Sequence, residues 1–144
     1  MWTCPRCGRS FANPRQSHTC APLGDLEQHF VGKAPAVRAA FDEVLRVVRG
    51  FGPVEVLPEK TRIALHVRMS FAAFVPRARW LDGHLVLPHR IDSDRFRRIE
   101  EFSPRNVLHA FRLTVPDEVD AEFCDWLRQA YDVGRQLHRR RPEA

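Results

Sequence analysis

The first twenty residues constrain this chain more than any other stretch. Cys4-Pro5-Arg6-Cys7-Gly8 is followed by His18-Thr19-Cys20, with a ten-residue spacer between Cys7 and His18. Two thiolates two residues apart straddle a tight turn, and a glycine after the second can take the positive φ that closes it. Zinc takes four nitrogen or sulfur ligands in a tetrahedron, and Cys4, Cys7, His18 and Cys20 supply that number. The spacing predicts a knuckle holding one Zn2+, structural because four protein ligands leave no open position. His18 and Cys20 stand too close in sequence to share a helix face, so the second half is expected to be extended or turn-like. That separates it from the DNA-reading finger whose ligands lie on a helix. Trp2 and Phe11 are placed to supply the few apolar contacts such a loop can make. The alternatives are a Cys4–Cys7 redox pair, which belongs after a strand in a βαβ unit, or ordinary buried cysteines. His29 is an alternative to one of these ligands, and Cys124, in an apolar helical pattern, reads as core.

The rest of the chain is long enough for one modest core. Its 144 residues divide as knuckle and hinge over 1–24, a domain over 25–135 and a basic tail over 136–144 that is expected to be disordered. No apolar run is long enough to span a membrane, and the first residues lack a signal-peptide core, so the expected setting is cytoplasmic. A net charge of +5 is built almost wholly from arginine, 21 against 2 lysines. Guanidinium is the better phosphate fork, but so lopsided a ratio also follows from coding bias, so only clustering is informative.

Periodicity sets the elements. Val37, Phe41, Val44, Leu45 and Val48 form one helical stripe behind Pro35, ended by Gly50 and Gly52-Pro53. Strands are expected over 54–57, 62–68, 71–75, 85–87 and 107–115, with Asp82-Gly83 as a hairpin turn. Residues 92–102 suggest a short helix, from Phe96 and Ile99 behind Ser93 or Asp94. A closing helix over 117–133 carries Val119, Phe123, Trp126, Leu127, Ala130 and Tyr131 inward and an acidic face outward. The order predicts an α+β fold, an antiparallel sheet with both helices on one face.

The residues also carry a resemblance. Trp2–Phe11 and Gln16–Cys20 look like the knuckle that precedes bacterial proteins of the domain of unknown function 5655 family. Glu59–Ala64, Met69–Ala73, His109–Leu113 and Trp126–Tyr131 resemble its body. The resemblance implies a small α+β domain and carries over no catalytic residue.

If Ile63, Leu65 and Val67 are buried, Arg62, His66 and Arg68 line the uncovered side of the sheet. Arg77 and Arg79 with Trp80, then His84, His89 and Arg90, and finally Arg112 extend that side, and Lys60 opens it. Such a surface can neutralise phosphates, with Phe71, Phe74 or Trp80 as stacking planes, although Phe71 and Phe74 fit the core as well. It can equally keep a one-sided sheet soluble. His66, His84, His89 and His109 could form an acid–base set, or a second metal site with Asp92 and Asp94, but match no recognised spacing. The reading is a non-catalytic, zinc-stabilised module that binds an anionic partner such as nucleic acid. The alternatives are a protein–protein adaptor using the acidic closing helix, or a small-anion receptor or enzyme using the histidines.

Overall fold

The structure, a computed structural model, describes residues 2–5, 10–11 and 24–136. It opens with a two-stranded antiparallel ribbon in which β1 (Trp2–Thr3) pairs with β2 (Ser10–Phe11), Trp2 opposite Phe11. Cys4 directly follows β1 and is buried. Cys7, His18 and Cys20, together with hinge residues 21–23 and the tail beyond 136, lie outside the described residues.

A 3-10 turn over Leu26–Phe30, capped by the Asp25 carboxylate, leads into α1 (Pro35–Phe51). The expected stripe is the buried one, with Ala40 added to it. Six strands follow: β3 (Glu55–Pro58), β4 (Ile63–His66), β5 (Ser70–Pro76), β6 (Leu81–Leu87), β7 (Phe96–Ser103) and β8 (Asn106–Leu113). They form one antiparallel sheet in the order β3-β4-β5-β6-β8-β7, so the chain leaves β6, makes the edge strand β7 and returns between them as β8. A 3-10 turn over Pro116–Glu118 precedes α2 (Ala121–Gly134). The fold is α+β. Among the described residues no helix is long and apolar enough to cross a membrane.

Both helices pack on one side of the sheet through aromatic rings. Phe41 of α1 meets Phe74 edge-on at 5.6 Å, and Phe74 meets Phe111 at 6.0 Å. Phe111 meets Phe123 of α2 at 5.0 Å, and Phe96 meets Trp126 at 4.5 Å. Edge-to-face pairs of this kind add about 0.5–1.5 kcal/mol each beyond the area they bury. Phe71, against Tyr131, is core in the same way. The Tyr131 hydroxyl donates to the Pro53 carbonyl at 2.9 Å, tying α2 to the end of α1. There Gly52 takes a φ of 154°, and a side chain at that position would run into the Tyr131 hydroxyl.

The acidic start of α2 is matched within the chain. Asp120 caps the helix by accepting from the Phe123 N–H at 2.9 Å. Arg95, ahead of β7, donates to Asp120 at 2.9 Å, to Glu122 at 3.2 Å and to the Glu118 carbonyl at 2.6 Å. Its guanidinium also lies over the Phe123 and Trp126 rings. The helix begins at Ala121 rather than 117 because the chain from Pro116 to Glu118 is taken by the 3-10 turn.

Three other expectations are corrected. Asp82-Gly83 is not a turn, because the reversal lies at Arg77–Trp80, where the Arg77 N–H meets the Trp80 carbonyl at 2.8 Å. Gly83 sits inside β6 because Phe74 and Phe111 close over it: an added Cβ would stand 2.8 Å and 2.9 Å from their rings. Residues 96–103 are strand, not helix. Cys124 is half-buried rather than core, on the side of α2 near Glu43 and Arg46, and burial raises its thiol pKa. Gly83→Ala should lose about 1–3 kcal/mol by overpacking the centre of the sheet, read as a lower urea midpoint with an unchanged slope.

Candidate functional site

The side of the sheet away from the helices carries a cleft of about 360 Å³ over β5, β6, β8 and β7. Its floor follows from register. Ala73, His84 and Ala110 lie side by side across β5, β6 and β8, and Arg98 of β7 continues the row. Two alanines beside a histidine leave a trough that larger side chains would fill. In the next row, Val75 lies opposite Asp82, and Asp82 opposite Arg112.

The walls are arginines. Arg62, just before β4, and Arg77, just after β5, stand on one side, and Arg97, Arg98 and Arg112 on the other. Asp82 bridges two of them: its Oδ2 accepts from Arg77 Nε and its Oδ1 from Arg112 Nε, both at 3.1 Å. Partial burial works against a charged Asp82, but the bonds from Arg112 and Arg77 outweigh it and hold the carboxyl below its usual range. Arg62 pairs with Glu59 at 2.8 Å, and Arg98 with Glu100 at 3.1 Å. Arg97 has no acidic partner among the described residues. Arg112 also covers the Trp80 ring at 4.3 Å, so Trp80 does not face the cleft as a bare stacking plane.

Arg97 and Arg98 reach the same cleft because β7 is irregular. Phe96 pairs with Phe111 and Arg98 with Ala110, so Arg97 is an extra residue in a β-bulge. A bulge lets two consecutive side chains point to one side, and here both are arginines.

The structure gathers part of the expected basic surface. Arg62, Arg77 and Arg112 converge, and His84 lies between them. Lys60 is exposed in the β3–β4 connection and Arg79 in the β5–β6 turn, and neither lines the cleft. His66, Arg68 and Arg90 belong to the opposite strand ends. His66 is buried with Nδ1 3.2 Å from Ser70 Oγ, Arg68 joins the α2 terminus through its backbone, and Arg90 pairs with Asp92. The surface away from the helices is also less open than expected, since Leu57, Ala64, Ala73, Val86 and Leu108 are buried on it.

The histidines do not converge. His109 pairs with Leu85, which places it on the helix side, while the neighbouring His84 points away. His109 is fully buried; its Nδ1–H donates to the Val107 carbonyl and its Nε2 accepts from the Ile91 N–H, both at 2.9 Å. With both nitrogens committed, it pins the β6–β7 connection to β8. Among the described residues no group of three or more His, Cys, Asp or Glu could hold a metal ion. Of the proposed zinc ligands, Cys4 alone falls within those residues.

Burial, with the Arg62 and Arg98 charges beside it, pushes the His84 pKa down to about 4. The imidazole is therefore neutral at pH 7, set among Arg62, Arg77, Arg97, Arg98, Arg112 and Asp82. An unfolded histidine titrates near its ordinary value of about 6.5. Between those two values the unfolded chain binds a proton that the folded chain refuses, so stability falls as pH drops from 6.5 toward 4. His84→Asn should flatten that slope in urea titrations, and the wild-type imidazole shift in NMR should stay constant down to about pH 5. A midpoint near 6.5 would show that neither burial nor the arginine charges act on it.

A family model described as Domain of unknown function (DUF5655) matches residues 26–134, from the turn before α1 to the end of α2. No curated protein and no solved structure matches the chain. The matched span holds every strand and side chain of the cleft and leaves out the cysteine-rich residues before it. On this match, which covers both helices and the whole six-stranded sheet, the chain belongs to the DUF5655 family.

Proposed function

We propose that the protein is a non-catalytic, zinc-stabilised binding module that contacts an anionic partner, nucleic acid foremost, through the arginine cleft of its sheet. The observation that carries this reading is the meeting of Arg62, Arg77, Arg97, Arg98 and Arg112 over a floor of alanines and one neutral histidine. Guanidinium forks match phosphate oxygens in pairs and remain charged at any working pH. A surface made only for solubility has no need of a hollow. Asp82 presents Arg77 and Arg112 side by side, so less freedom is lost when a ligand meets them. The adaptor alternative draws less support, because Asp120 and Glu122 on the acidic helix already hold Arg95 of the same chain.

Fluorescence anisotropy with labelled single- and double-stranded oligonucleotides tests the reading. Binding should be present at low salt and weaken steeply as salt rises, by a log–log slope of about 0.7–0.9 per phosphate neutralised. The double variant Arg97→Ala, Arg98→Ala should weaken it at least tenfold, about 1.4 kcal/mol or more, while circular dichroism stays unchanged. Flat anisotropy at low salt would remove the proposal.

Zinc belongs to the same reading. Cys4, Cys7, His18 and Cys20 would hold the ion as a closed tetrahedral site in a reducing, cytoplasmic setting. The ion would fold the residues carrying Arg6, Arg9 and Arg15 and take no part in chemistry. Purified protein should contain about one zinc per chain, and Cys4→Ser should lose it. The sheet and helices, which have their own core, should keep their thermal transition when the metal is removed. Reduced protein containing iron, or no metal, would overturn the assignment.

A further inference from the structure

We infer that the arginine cleft is a receptor for a phosphomonoester, the terminal phosphate of an oligonucleotide or of a free nucleotide, rather than a track for the phosphodiester backbone. The inference rests on the anion-binding reading above and narrows it. Three observations lead to it.

The first is shape. Among the described residues, the cationic side chains expected along the whole sheet do not form a stripe. His66, Arg68 and Arg90 stand at the opposite strand ends, and the five gathered arginines ring one hollow of about 360 Å³. A hollow at the small end of the range for ligand pockets suits a single charged group and what is bonded to it. A backbone track instead needs a continuous groove with rings on which successive bases stack. Phe71 and Phe74 are core, and Trp80 lies beneath Arg112.

The second is charge. Five guanidiniums line the hollow, and Asp82, Glu59 and Glu100 pair with four of them. Three carboxylates against five cations leave an excess of two, which matches the charge of about −1.5 to −2 on a phosphomonoester at pH 7. A diester linkage brings one charge and would leave one cation unanswered. A second hollow of equal volume lies beyond the wall made by Arg97 and Arg98. It shares Arg97 and Arg98 with the first, and the residues it adds, Arg90 paired with Asp92 and also Asp94, bring no cationic excess.

The third is the bulge. It gives the cleft two adjacent forks, and among the described residues Arg97 brings no acid of its own that a ligand must displace. Arg62 and Arg98 turn their Nε to Glu59 and Glu100, which leaves their terminal N–H groups for a ligand beside the whole fork of Arg97, and neutral His84 on the floor adds one more donor without a charge.

Isothermal titration calorimetry on the full chain separates the possibilities by comparing a short single-stranded oligonucleotide carrying a 5′-phosphate with the same oligonucleotide ending in a hydroxyl, and adenosine monophosphate with adenosine. The phosphorylated oligonucleotide should bind at least about tenfold more tightly than its hydroxyl counterpart, a gap of one good charge-assisted pair. Arg97→Ala should close most of that gap and leave the thermal transition unchanged. Binding of the monophosphate but of neither oligonucleotide upholds the phosphomonoester and places its source in free nucleotides, against the nucleic-acid reading. Equal binding of the two oligonucleotides overturns end recognition and leaves that reading standing. No binding by any of the four overturns both. The wild-type comparison needs no variant, so a misfolded Arg97→Ala would not obscure the answer.

Discussion

The aromatic layer between the helices and the sheet is the contact on which the rest of the molecule depends. Rings run without a break from Phe30 through Phe41, Phe74, Phe111, Phe123 and Trp126 to Phe96 and His109. That chain joins the first turn of the domain, both helices and the edge strand. It needs one opening at its centre, where Phe74 and Phe111 meet over a residue without a side chain, and Gly83 supplies it. Because both helices are drawn to that side, the opposite side of the sheet is free to carry charged residues. The register that stacks the rings also places Ala73, His84 and Ala110 in one row behind them.

The β7 bulge shows how an irregularity at a sheet edge can shape a site. With regular pleating, Arg97 and Arg98 would point to opposite sides. The extra residue turns both away from the helices while Phe96 and Ile99 still reach inward. Arg95, two residues earlier, is drawn the other way to the acidic start of α2. Three arginines within four positions therefore have separate surroundings, one closing the fold and two lining the cleft.

That bulge also explains why residues 92–102 resemble a helix in the sequence. Phe96 and Ile99 are three apart, which is helical spacing, because one extra residue turns a period of two into three. Arg97 and Arg98 were accordingly not among the expected site residues. A stretch with two charged residues between apolar ones, followed by Glu100 and Glu101, is the signal that could have suggested a bulged edge strand. The Asp82-Gly83 pair misleads for a related reason. A glycine that lets a chain turn and a glycine that lets two rings approach look the same in sequence.

What the sequence determined by itself was local: the stripes of α1 and α2, the alternation of β4 and β8, the α+β order, and the spacing of Cys4, Cys7, His18 and Cys20 on which the zinc proposal rests. It also marked Arg62, Arg77 and Arg112 for the side opposite the helices, since alternation alone assigns a side. Only the tertiary structure decided which cations meet, that Asp82 joins two of them, that His109 is locked away from His84, and that Arg97 belongs with Arg98. The physical reason is range. A periodic pattern is set by neighbours a few residues apart. The convergence of Arg62 with Arg112 depends on a strand order in which β8 lies between β6 and β7, and on a register that packing across the whole sheet selects.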